Sequence, residues 1–481
     1  MIYSEYEFLL LFPAVALIFF NLRSATSQNA FLVLFGLVFL AWHNVWNLLP
    51  VAIVLALVPL FFWMKERFKL PRPALQTQAL ITLLVLNLIY FKYRNFLSDL
   101  TGLHLPAPSS IAWTIPLGIS FYTFEAISAA LDLSRTKQAL GGIRWPLFIL
   151  FFPHAIAGPI MRYRQLVPQF DTPKQFVWLN FSKGLHLFTI GFGKKLLADP
   201  IGQIIDPVWA NPNHATPYVL ASALVGFSAQ LFLDFSGYTD MGRGLARILG
   251  YRMPVNFRAP MFAVTAADFY QRWHVSLSAW IRTFVFDKLA MAVMRRIRSR
   301  KMQNYVLLVV VLLVMALFGL WHGSAWHFVM FGVLQGLVIA GFAAVLGGKA
   351  PRTPWGRFGS LMILQLSWLL SLLWFRADTM VAGWTFMTGL IGNGKFAYPD
   401  MGWCWVGLLL AWMIQLVDFH VRNRTVAQTL RFLRTRTGGL MIVSTTMIGL
   451  FIYKVMKDGA QFGAVLSGEI MPSAGFIYFN F

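Results

Sequence analysis

Cysteine is almost missing from this chain: Cys404 is the only one in 481 residues. That excludes an internal disulfide and a thiolate-bound metal cluster. Its surroundings, MGWCWVG, are apolar and aromatic, so packing is its expected role. Charge is scarce too, at 12% of residues, where a soluble globular protein carries about twice that fraction. No polar stretch is long enough to make a water-soluble core of its own. The opening MIYSEYEFLL places two glutamates and no basic residue ahead of an apolar run, unlike a cleavable signal peptide. GxSxG, P-loop and HExxH strings are absent, and so is any Asp-x-Asp pair of the sort that holds a metal-bound sugar nucleotide.

What the chain has instead is apolar sequence, 58% of residues, with 16% aromatic. A membrane span needs about twenty mostly apolar residues. Candidate segments fall at 5–22, 29–42, 45–64, 78–97, 111–131, 178–198, 217–236, 303–321, 325–346, 359–375, 402–419 and 438–455. The expectation is an all-α polytopic membrane protein with about eleven or twelve embedded segments, residues 1–481 forming one membrane domain. Segment 146–160, PLFILFFPHAIAGPI, is apolar but broken by Pro153, Gly158 and Pro159, which points to a re-entrant piece.

Forty Lys and Arg against eighteen Asp and Glu give a net charge of +22. The basic residues lie in short runs between apolar segments, as the positive-inside rule expects, so nucleic acid is not the implied partner. With the acidic N-terminus outside, Arg23 and the runs 65–72, 135–144, 243–258, 295–301, 352–357 and 422–436 all fall inside. Segment 381–392 is the one that leaves this parity open.

Stretch 238–301 is too polar for a pair of spans and too aromatic for a solvated loop. Apolar residues at 269, 273, 277, 280, 281 and 284 form a helical stripe, with Gln271, His274, Ser278 and Arg282 on the opposite face. This predicts one amphipathic helix at the membrane surface or tucked into the bundle.

Two of the nine histidines stand out. His322 ends a long apolar run in the string WHGSAW, and an ionisable group there is costly unless it meets a cavity or a partner. Gly323 would let a substrate or backbone come close, and Trp321 and Trp326 could wall a pocket. A helix-end histidine among interfacial tryptophans is the plain alternative. His274, on the polar face of the amphipathic stretch, is either a solvated surface residue or a second imidazole at the same pocket. Two such rings could divide acyl transfer to a hydroxyl, one as general base and the other positioning groups. His322 and His327 are five apart, which does not stack two ligands on a helix face, so no metal site is expected.

Six strings go further: SFYTFEAISAALDLSR (120–135), FFPHAIAGPIMRYRQLVPQF (151–170), LFLDFSGYTDMGRGLARILGYRMPVNFRAP (231–260), DFYQRWHVSLSAWIR (268–282), GLWHGSAWHFVMFG (319–332) and the terminal FIYFNF. In this order they resemble the membrane-bound O-acyltransferase (MBOAT) family, most closely its bacterial alginate O-acetyltransferase-like branch. The resemblance implies a helical bundle around a central funnel or tunnel in the bacterial inner membrane. It implies His322 as the essential histidine and His274 as its partner. It also implies transfer of acetyl from cytoplasmic acetyl-CoA, with no bound cofactor, toward an extracytoplasmic polysaccharide through periplasmic SGNH-type partners. Trp321, Trp326, Ser278 and Arg282 are the expected substrate contacts. Relatives usually continue the Arg-Trp-His motif with Leu-Arg-Asp-Tyr and a Gly-Gly-Asn turn; here it runs Ile281-Arg282-Thr283-Phe284 with no glycine-rich turn. Two alternatives stay open at this point: D-alanyl transfer to teichoic acid, and a polysaccharide transporter without chemistry.

Overall fold

A computed structural model describes residues 1–68, 73–102, 115–136, 140–347, 349–392, 394 and 401–422. The expected span 438–455, the basic run after Arg422 and the FIYFNF tail lie outside the described residues. Helix is the only regular element among those described, as hydrocarbon demands: each buried peptide group must find its partner within the segment.

Among the described residues six helices are long and apolar enough to cross a membrane: Val45–Phe68, Ala74–Thr101, Pro217–Ile248, Arg300–His322, Trp326–Leu346 and Pro354–Arg376. Three shorter apolar helices, Tyr6–Asn21, Ala25–Ala41 and Gly402–Asp418, accompany them. Among the described residues these nine helices coincide with nine of the expected embedded segments. Candidate 178–198 lies inside Trp178–Ala210, a 33-residue helix that carries Lys194, Lys195, Asp199 and Asp206 and so fails as a plain apolar span. Pro217–Ile248 differs from the other five in being 94% buried over its most apolar stretch. It is an interior helix.

The chain divides into two compact units. The first comprises Met1–Gly184 and Gly242–Pro254, and the second comprises Leu185–Met241 and the described residues from Val255 on.

In the first unit the broken segment is not lipid-facing: residues 145–163 are buried apart from Pro146 and Arg162, which are half-buried. Its chain turns through short helices, Arg144–Leu150, Phe152–Ala155 and Tyr163–Leu166. The Tyr3 hydroxyl donates to the Phe152 carbonyl at 2.7 Å, and the Trp145 indole donates to the Leu55 carbonyl at 3.2 Å. Protein thus covers the irregular backbone, the condition under which it persists at membrane depth. The segment is held to helix Ile119–Arg135 by a buried pair. His154 Nδ1 lies 3.0 Å from Glu125 Oε1, and the same oxygen accepts from the Met161 amide at 2.9 Å.

The second unit is built on aromatic packing and paired charge. Lys194 Nζ lies 2.7 Å from Asp240 Oδ2, and Lys195 Nζ lies 2.5 Å from Asp199 and 2.9 Å from Asp234. Buried lysines persist here because carboxylates from Pro217–Ile248 and from their own helix meet them. Helices Arg300–His322 and Trp326–Leu346 cross closely. A Cβ at Gly319 would collide with the Phe328 carbonyl, and one at Gly332 with the Met315 carbonyl. Small residues at such a crossing let two membrane helices reach backbone contact. That crossing sets the depth of His322.

Candidate active site

His322 is the last residue of helix Arg300–His322 and is 5% exposed. Aromatic rings enclose it: Trp321, Phe318, Phe375 and Phe331 have centroids 4.6, 4.9, 4.9 and 5.8 Å from the imidazole. Gly323 follows, and the space it leaves is taken by the Phe328 ring, into which a Cβ would run. The open approach expected beside His322 is therefore filled by an aromatic side chain.

His274 is not on a solvated helix face. The expected single amphipathic helix is broken: Ala266–Tyr270 ends, residues 271–274 turn, and Val275–Ile281 begins. The run then continues as a π-helical turn, Arg282–Phe286, and helix Asp287–Arg296. The apolar stripe survives the break because Phe269 and Trp273 still stack, centroids 5.8 Å apart. His274 itself caps Val275–Ile281 with φ 44° and ψ 55°, left-handed backbone that a non-glycine residue adopts at a cost of about 1–3 kcal/mol. It is 1% exposed.

Asn256 holds this turn, and nothing in the histidine pattern pointed to it. Its carbonyl accepts from the Val275 amide at 2.9 Å. Its side-chain Oδ1 accepts from the Ser276 amide at 3.0 Å and from Ser276 Oγ at 2.9 Å. A backbone N–H can only donate, so that atom is the amide oxygen. His274 Nδ1 lies 3.3 Å from it. Facing an oxygen without hydrogens, Nδ1 is the protonated nitrogen, which leaves Nε2 as the basic one. Burial pushes the imidazole down to about 3 from its usual range, so the ring is neutral at physiological pH. The string YRMPVNFRAP, already quoted for its family likeness, contained this residue without showing its partner 18 positions on.

Trp321 joins the two histidines. Its ring centroid lies 6.1 Å from that of His274 and 4.6 Å from that of His322. On the other side of His274 stands Phe235, centroids 4.8 Å apart, from the interior helix Pro217–Ile248. Phe232 of the same helix lies under Lys194 Nζ at 5.8 Å.

The remaining expected contacts separate. Trp321 belongs to the enclosed group. Ser278 is half-buried, and its hydroxyl donates to the Trp273 carbonyl at 3.2 Å. Trp326 is 55% exposed at the first position of its helix and does not share the burial of His322. Arg282 has a side chain 71% exposed, with Nε 3.9 Å from Asp287. The π-helical turn that begins at Arg282 carries it off the face that His274 and Ser278 were expected to share. His327 is a structural histidine: its Nδ1 donates to the Trp374 carbonyl at 2.9 Å. Among the described residues no group of three or more His, Cys, Asp or Glu side chains could hold a metal ion.

A neutral, oriented imidazole, an indole and a second imidazole in an aromatic shell are parts suited to moving a proton in a dry environment. Comparison with known proteins gives the reaction class of the chain. Residues 72–353 match the model of the membrane-bound O-acyltransferase family. The chain belongs to the MBOAT family. It is 31% identical over 418 residues to the probable alginate O-acetylase AlgI of Azotobacter vinelandii, covering 83% of this chain and 80% of that protein. The AlgI of Pseudomonas aeruginosa is 32% identical over 419 residues, 83% of this chain and 77% of its own length. A peptidoglycan O-acetyltransferase of Helicobacter pylori is 28% identical over 406 residues, 76% of this chain and 74% of that protein. This MBOAT protein is thus an O-acyltransferase and a multi-pass bacterial membrane protein.

Proposed function

We propose that this MBOAT protein takes acetyl from cytoplasmic acetyl-CoA and delivers it for O-acetylation of an extracytoplasmic polysaccharide, with periplasmic SGNH-type partners completing the transfer. The names of its relatives support acetyl as the group. They differ in polymer, alginate for two and peptidoglycan for the third, so the polymer is assigned here only as a class.

The observation that carries the mechanism is His274 Nδ1 against Asn256 Oδ1, with Trp321 between its ring and His322. A general base works best with a pKa near the operating pH. His274, held down at about 3 by burial, takes a proton poorly at neutral pH. We assign proton removal to His322, the histidine that the family resemblance makes essential, and His274 serves as a neutral hydrogen-bonding partner. His322 accepts the proton of the acceptor hydroxyl as its oxygen bonds to the thioester carbonyl carbon. The tetrahedral oxyanion collapses, the carbon–sulfur bond breaks, and the thiolate leaves with the proton returned from His322. Ester and free thiol are the products, and no net proton is consumed. The acceptor in this step is either a sugar hydroxyl or a serine on a partner.

The test is donor use by purified protein in lipid nanodiscs. Acetyl-CoA should release free CoA in the presence of acceptor, and a D-alanyl carrier protein should not be consumed. Release from the D-alanyl carrier alone would replace this reading with the D-alanyl one. No release from either donor, with the polysaccharide moved intact, would favour the transporter.

A further inference from the structure

The stretch between the two histidines forms one hairpin in the second unit. Its first arm runs from His274 through Val275–Ile281, the Arg282–Phe286 turn and Asp287–Arg296. Its second arm is Arg300–His322. The arms pack against each other, and their far ends meet where Trp321 lies beside His274. The bend of this hairpin is polybasic: Arg295, Arg296, Arg298, Arg300 and Lys301 fall within seven positions. No acidic residue occurs between Asp287 and Asp378 to offset them. All five are exposed, and none makes an ion pair among the described residues.

Exposed apolar side chains stand next to these charges. Leu289, Met291 and Met294 end the first arm, and Met302 and Tyr305 begin the second. A cationic cluster flanked by exposed methionine and leucine, at the mouth of a spanning helix, fits the headgroup layer of a bilayer. The positive-inside rule alone accounts for which side the bend occupies. It does not account for uncompensated arginines beside apolar side chains at one bend.

We propose that this bend binds the phosphate headgroups of anionic phospholipids, and that the contact fixes the depth of the hairpin carrying His274 and His322. Arginine forks suit phosphate oxygens, while the methionines and leucine enter the acyl boundary. A helix moves as a unit along its axis, so a bend held at the headgroups holds His322, about 33 Å of helix away, in register with His274. The regulatory half of this inference rests on the proposed role of the two histidines; lipid binding at the bend does not.

The experiment reconstitutes the full chain in nanodiscs of phosphatidylcholine alone, or with about one third phosphatidylglycerol, a share at which the anionic headgroup field is strong. His322-dependent CoA release should rise about tenfold in the anionic discs, a change of the size that a few surface charges carry. The R295Q/R296Q/R298Q variant should stay at the phosphatidylcholine rate in both. An R295K/R296K/R298K variant should recover most of the response. Native mass spectrometry should show fewer phosphatidylglycerol adducts on the Gln variant than on wild type. Inorganic pyrophosphate added to phosphatidylcholine discs should not substitute, since a soluble anion does not set depth. Equal wild-type rates in both discs, or a Gln variant that still follows phosphatidylglycerol, would overturn the proposal. So would a Gln variant that loses turnover only with a protein-borne donor, since that would identify an acidic carrier protein as the occupant. If His322→Ala keeps its CoA release, the active-site reading fails instead, and the adduct count still decides lipid binding.

Discussion

The Trp321 indole stands edge-on to His274, ring centroids 6.1 Å apart and planes at 66°. Because Trp321 is also the chain neighbour of His322, this one contact ties a turn after the interior helix to the end of a spanning helix. Removing the indole should loosen both rings. Trp321→Ala should lower kcat by about ten- to a hundredfold, and Trp321→Phe by less, because a phenyl ring restores part of the edge-on packing. Steady-state CoA release separates the two variants.

Asn256 sets the His274 tautomer and holds its left-handed backbone. Asn256→Ala removes an acceptor shared by three donors, a loss of about 1–3 kcal/mol. Activity should fall with KM little changed. Asn256→Asp places a carboxylate at Nδ1, which favours the imidazolium and raises the His274 pKa. The pH–rate profile of that variant should gain an ionisation that wild type lacks. An unchanged profile would mean that the amide is only structural.

Burial of neutral His274 links stability to pH. The folded-state pKa, about 3, lies below the unfolded value of about 6.5. The unfolded chain binds the proton first as pH falls, so this group's contribution is present above 6.5 and lost progressively from there toward 3. Thermal melts in detergent should therefore show a smaller loss between pH 7.5 and 5 for His274→Gln than for wild type.

The Glu125–His154 pair of the first unit gives a different kind of prediction. Removing one partner leaves a buried group without its complement, which costs about 3–5 kcal/mol, whereas removing both costs less. Glu125→Ala should destabilise more than the Glu125→Ala/His154→Phe double variant. Melting temperatures of the two test this directly.

Which features the sequence exposes follows from the range of each signal. Composition and apolar run length report burial in lipid, so the helical membrane class was legible before any coordinates. His322 was legible because a titratable group at the end of an apolar run is costly in place. The break at residues 271–274 was not, because Phe269, Trp273 and Leu277 keep helical spacing whether or not the peptide turns between them. Periodicity therefore left His274 between water and the pocket, while Asn256, 18 residues upstream, holds it buried. Glu125 and His154 each looked unremarkable in sequence, and only their pairing across 29 residues explains either. Trp326 and Arg282 lie apart from the enclosed histidines for a local reason. One opens a helix at the surface, and the other begins a π-helical turn that rotates it outward.

Whether the two imidazoles act as one unit is decided by a double-mutant cycle on CoA release, with His322→Ala, His274→Ala and both together in the same bilayer. One shared site means that losing the base leaves the second ring little to assist. His322→Ala should then cost about 10²–10⁴ in rate, and adding His274→Ala should cost almost nothing more. Independent, multiplying losses would contradict a common site, and a His322→Ala protein with near wild-type release would remove His322 from the chemistry altogether.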